Sequence, residues 1–448
     1  MKRFIFAIFL LIVVNFAYAQ DEGLRFINYI YKPNIHTVQF HLDGLPLSYP
    51  IIELNSEAQL LLSFDDLDGD AKNYTYSIVH CNMYWEPSNL AEMEYVNGFI
   101  EERIEYFQFS FNALPVYTNY RLPLPNERMS FTKSGNYLLK VYDNEGRKSL
   151  ALTRRFVVVE PLVSIAPRLV RPNIAGKLQT HQEIDFTINH QRLKISRPMQ
   201  EIRAVILQNG RWDNAVTDLP PFLFRTDELV FDYQDRVIFP AGKEFRPLDI
   251  RSMRFRGQGI ARIEQTDETY EITLAKERSR RDDSYFERID ADGGFVIENM
   301  DRITPNADSI DRQRSSRGYK NLASLDPNLT GNYANVLFQL QTPEPYYDDE
   351  VYVFGALTDW QLKPEFKMAY NNTVNGYVAK AQLKQGYYDY AYVTVPRNSK
   401  IKNPQPTFDQ IEGNWFETNN QYTILIYYRA FGERYDRAIG AATFSSRF

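Results

Sequence analysis

At 448 residues, with 44% hydrophobic and 24% charged positions, the chain is too long for one compact core and too apolar to stay unfolded, and it predicts about three domains of roughly 100–150 residues. A net charge of −6 supplies no basic face and excludes the usual nucleic-acid binder. The single cysteine, Cys81, excludes an internal disulfide, so stability has to come from burial.

Lys2 and Arg3 precede an apolar run from Phe4 to Val14, and Ala17-Tyr18-Ala19 sets small residues at alternate positions before Gln20. That layout predicts a secretory signal peptide over 1–19 and a mature chain from Gln20, which offers no acceptor for a lipid anchor. The run is short for a bilayer-spanning helix, and later apolar runs such as Tyr422 to Tyr428 have the length of strands. Phe448 would suit the end of an outer-membrane barrel, but the charge content and the short strands fit the lipid-facing alternation of such barrels poorly.

Val38, Phe40 and Leu42 alternate with Thr37, Gln39 and His41, the period of a half-buried strand. Asp43-Gly44 predicts a tight hairpin whose return strand carries Leu45, Leu47 and Tyr49. Tyr74, Tyr76 and Ile78 repeat the alternation, as do Phe107, Phe109 and Phe111, and Asp143 to Gly146 reads as a turn between strands at 137–142 and 150–159. Glu160-Pro161, followed by Pro167 and Pro172, predicts a boundary, because proline gives a sheet no donor and restricts the residue before it.

Ile184, Phe186 and Ile188, then runs at 202–207 and 270–274, predict a second sandwich over 161–332. Residues 299–332 turn to Asp, Arg, Ser, Asn and Pro and predict a long polar loop. The last domain, 333–448, carries Val351 to Gly355, Asp359-Trp360, Asn375-Gly376 and Leu383 to Tyr390, an order similar to immunoglobulin-like early-set and glycogen-binding modules. The expected fold class is all-β, with tandem β-sandwich domains over 20–160, 161–332 and 333–448, the last of them immunoglobulin-like/early-set.

Motifs for bond-making chemistry are missing: there is no Gly-x-Ser-x-Gly elbow, no His-Glu-x-x-His helix and no phosphate loop. His36, His41, His80, His181 and His190 are scattered without metal-ligand spacing. Asp66, Asp68 and Asp70 suggest a calcium loop, but Ser77 stands where the bidentate glutamate belongs, and these residues read as turns, as do Asp290, Asp292 and Gly293. Gly257-Gln258-Gly259 has Arg262 in place of the third glycine of a dinucleotide fingerprint. Arg251, Arg254 and Arg256, with acids nearby, read as a salt-bridged strand face. No catalytic, metal or cofactor residue is assigned. Trp360 is the candidate for stacking on a sugar ring, with core packing as the competing reading. Trp85, Tyr95 and Phe99 lie in a loop-rich stretch and are the candidates for touching a partner.

The stretch Tyr76 to Trp85, with Glu94 to Phe99, Leu47 to Pro50 and Phe64 to Leu67, resembles the plug protein family of the type IX secretion system. Further pieces follow in order, among them Ser110 to Ala113, Gln208 to Ala215, Phe239 to Arg246 and Ile426 to Arg429. The resemblance implies a periplasmic all-β protein that binds the periplasmic end of an outer-membrane translocon β-barrel and seals its pore, without inserting into lipid and without cofactors. On that reading exposed sheet-end loops, including 82–98, make the contact. A periplasmic carbohydrate-binding sandwich using Trp360 is the alternative.

Overall fold

The computed structural model describes residues 23–301, 326–401 and 404–447. The expected signal peptide and most of the polar loop at 299–332 lie outside the described residues. The fold is all-β, in stacked sandwiches.

In the first unit one sheet runs Tyr29–Ile30, Ser149–Val159, Gly135–Asp143, Tyr74–Cys81, Glu101–Arg103, with Ile51–Glu53 parallel to the end of Ser149–Val159. It faces a sheet of Ile35–Leu42, Leu60–Asp66, Thr118–Leu124 and Tyr106–Phe109. Aromatics fill the space between them: Phe64 stacks on Tyr120 at 5.2 Å and meets Tyr74 edge-on at 5.3 Å. The alternation of Tyr74, Tyr76 and Ile78 points all three into this core.

Two local expectations are corrected here. After Asp43-Gly44 no return strand forms, and Leu45 and Leu47 are exposed. Pro46 and Pro50 deny that segment ladder donors, so Ile35–Leu42 pairs instead with Leu60–Asp66. In the aromatic strand Tyr106–Phe109 only Phe107 packs on the core, against Tyr120, while Phe109 and the following Phe111 face solvent.

The second unit sets a sheet of Ser164–Val170, His181–Asn189, Glu228–Phe231 and Leu223–Phe224 against one of Val216–Leu219, Ile202–Gln208, Gln421–Tyr428 and Arg437–Ser445. The chain therefore returns to this sandwich at its far end. Everything between, from Arg246–Asp249 to Gly386–Pro396, forms a third unit inserted into the second, a ten-stranded sheet curled around Val336, Phe338, Val353 and Tyr390. The linear division at 332/333 is accordingly not where the sheets divide. Tyr270–Leu274 pairs parallel to Tyr333–Gln341 across that position, and Gln421–Tyr428 pairs with Ile202–Gln208 from Ile202↔Tyr428 to Gln208↔Tyr422.

The reason lies in the two faces of Gln421–Tyr428. Tyr422, Ile424 and Ile426 enter the second core, whereas Leu425 and Tyr427, beside Val205 and Leu207, meet Met83, Val157 and Val159 of the first unit. A strand covered on both sides needs a continuous apolar run, and each aliphatic side chain so buried contributes about 1.5–3 kcal/mol.

Candidate functional site

Trp85 sits on a turn built by Asn82, whose side-chain oxygen accepts from the backbone N–H groups of Tyr84 and Glu86 at 2.9 and 3.0 Å. The turn holds Trp85 at a φ of 66° and points its ring inward, 4% exposed. There it meets Trp212 of the second unit edge-on at 5.1 Å, with the Arg155 guanidinium 4.3 Å from its ring centre. Tyr95 is buried as well, packed against His80 and Tyr137. The expectation that both rings touch a partner is corrected: each is large and apolar enough to be held in a core, and neither presents a face to solvent. Phe99, 58% exposed, is the one of the three on the surface.

Sequence reasoning missed three exposed apolar neighbours of Phe99 along the chain, Tyr84, Met93 and Ile100. Ala91 has no side-chain acceptor, so only the Glu94 half of a capping box marks the turn that carries Met93. Glu94 accepts from the Ala91 N–H at 2.8 Å, and the single helical turn Glu92–Tyr95 buries Tyr95 and leaves Met93 outward.

Trp360 is wedged where the three units meet. Its ring lies edge-on to Phe354 and Phe245, 5.4 and 5.9 Å away, with Arg211 5.3 Å from its centre. It comes so close to Gly293 that a β-carbon there would sit 2.3 Å from the indole. The ring is partly buried against these neighbours and also lines a cavity of about 260 Å³.

Buried charge joins the units at the same junction. Arg154, on the first unit, reaches Asp359 of the inserted unit at 3.2 Å, and Lys363 shares that carboxylate at 2.9 Å. Burial alone would raise Asp359, but Arg154 and then Lys363 outweigh it and hold the carboxyl below its usual range. The second unit is tied to the first by Asp436, which accepts from the Met83 N–H at 2.9 Å, and by Tyr427, which donates to Asn136 at 2.6 Å. Inside the third unit, Glu412 lies between Arg246 and Arg280 at 2.8 and 2.6 Å. Those cations overcome the burial that would raise it and hold it at about 2.

The acidic turns take ordinary partners. Lys72 pairs with Asp66 at 2.9 Å, with Asp68, and with Asp70 at 3.7 Å, so a cation of the chain itself occupies the apparent calcium loop. Asp290 accepts from the Asp292 N–H at 3.1 Å, an Asx turn. Cys81 is buried, which pushes its thiol up to about 12 and leaves it inert. Among the described residues no helix is long and apolar enough to cross a membrane.

Residues 35–160, nearly the whole first sandwich, match the family model described as type 9 secretion system plug protein, first domain. The chain belongs to the type IX secretion system plug family. A crystal structure of a hypothetical protein from Parabacteroides merdae ATCC 43184 is 33% identical, with a TM-score of 0.85 over 94% of this chain and 100% of that one. No curated protein matches. The likeness to that crystal structure extends through the inserted and second units, beyond the 35–160 of the family model.

Proposed function

We propose that the protein is a periplasmic plug, which binds the periplasmic end of the type IX secretion translocon in the outer membrane and seals its pore. The match of residues 35–160 to the plug family carries this reading. It is supported by the way the three units are tied together through Trp85–Trp212, Arg154–Asp359 and Tyr427–Asn136. A stopper has to keep its shape under contact, and units clamped by buried aromatic and ionic pairs resist hinge motion where a linker alone would not. The role requires no bond-making step, and none is assigned to any residue.

The residues proposed to dock are Tyr84, Met93, Phe99 and Ile100, each exposed. Exposed aromatics and methionine are the residue types enriched in the cores of protein interfaces. Deletion of the gene tests the sealing role. The cells should admit a large antibiotic that the intact envelope excludes, and re-expression of the chain should restore exclusion. An envelope equally tight without the protein would refute it.

A further inference from the structure

A cavity of about 730 Å³ lies between the first unit and the inserted one, a volume within the range of small-ligand sites. One wall comes from the segment between Arg25 and Val38 together with Arg154, the other from 356–366 and 380–384. Ile30, Leu357, Leu362 and Leu383 give it apolar surface, of the kind that normally closes by packing.

The charges around it do not balance. Arg25, Lys32, Arg154, Lys363, Lys380 and Lys384 line the cavity, against Asp359 and Glu365. Three of these cations have carboxylate partners behind the wall: Lys32 with Asp143 at 3.6 Å, Lys380 with Glu271 at 2.8 Å and Lys384 with Asp65 at 2.5 Å. Arg154 and Lys363 share the single carboxylate of Asp359. Arg25 has no carboxylate partner among the described residues and rests its guanidinium 4.2 Å from the Tyr29 ring centre. Even with the three outer carboxylates counted, the described residues leave the cavity one positive charge in excess.

We propose that this cavity binds an amphiphilic monoanion, an acyl chain bearing one anionic head group. The chain lies on the aliphatic surface and the head group meets Arg25 and Lys363. An apolar lining selects against a small inorganic anion, and the single unbalanced charge selects one negative head group over a polyanion. The inference is independent of the plug reading, and Phe99 does not line this cavity.

Equilibrium dialysis of the full chain against radiolabelled oleate tests it. The expected result is saturable binding of one oleate per chain, weakened about tenfold or more in Arg25→Glu and in Lys363→Met, with oleyl alcohol at least about tenfold weaker than oleate. Arg25 is exposed, so Arg25→Glu should keep the parent urea transition. Flotation with phosphatidylglycerol vesicles, lost in the same variants, would identify a membrane phospholipid as the source of the chain. Oleate binding without flotation would identify a free carboxylate. No saturable oleate binding, equal affinity for oleyl alcohol, or affinity unchanged in both folded variants would overturn the proposal.

Discussion

The Lys384 ammonium and the Asp65 carboxylate, 319 positions apart in the chain, meet 2.5 Å from one another with almost no exposure of either side chain. Asp65 also accepts from Tyr333 at 2.6 Å and Asn119 at 2.8 Å, while Lys384 donates to the Asn328 carbonyl at 2.7 Å and lies 4.1 Å from the centre of the Tyr117 ring. The pair fastens the inserted unit to the first sandwich. Its value lies in its completeness, because a buried ion pair stabilises only when each partner's remaining hydrogen-bonding capacity is met.

Lys384→Met should therefore cost about 3–5 kcal/mol, since it strands a carboxylate in the interior. Adding Asp65→Asn should return a large part of that loss. Urea denaturation of both variants checks this, and a single variant within about 1 kcal/mol of the parent would show that the pair does not clamp the units.

Trp85→Ala and Phe99→Ser should behave differently although both residues stand in one sequence signature. Loss of the Trp85 ring opens a cavity against Trp212 and Arg155 and should cost about 3–5 kcal/mol. Phe99→Ser should change stability by no more than about 0.5 kcal/mol while weakening any complex that the exposed surface makes. Thermal melts paired with co-purification separate the two effects.

Stability should fall as the medium turns alkaline. Glu244, Asp292 and Asp389 are pushed up to about 7, first by burial and then by carboxylates around them that include Asp290. Carboxyls of the unfolded chain titrate near 4, so the folded state holds extra protons between those values. Its stabilisation is complete below about 4 and is lost as pH rises through about 7. Buried His80, lowered to about 4, acts in the opposite sense, but only up to its unfolded value of about 6.5. The urea midpoint should consequently drop from pH 6.5 to pH 8, and Asp389→Asn should shrink that drop. A midpoint that rises over this interval would contradict the assignment.

Much of the fold is legible in the sequence because strand burial leaves a local mark. The alternation of Tyr74, Tyr76 and Ile78 and the turn at Asp143 to Gly146 each depend on a few adjacent residues, and both are found. The pairing of Gln421–Tyr428 with Ile202–Gln208 spans half the chain. Nothing in either strand names its partner, so the insertion of one unit into another is invisible locally. Site residues divide along the same line. Aromatic content marks Trp85 and Tyr95 as large apolar groups, but which way each ring points is decided by the Asn82 turn and by the neighbouring unit. Phe99 follows Gly98, at a φ of 107° at the end of Val96–Gly98, and lies exposed.

Affinity capture of the tagged protein from a detergent extract of its own cells, with the bound material identified by mass spectrometry, tests the central claim most directly. The account predicts one large outer-membrane β-barrel of the type IX secretion system, recovered with the parent chain and diminished with Phe99→Ser. Recovery of the folded parent chain with no such barrel would contradict it.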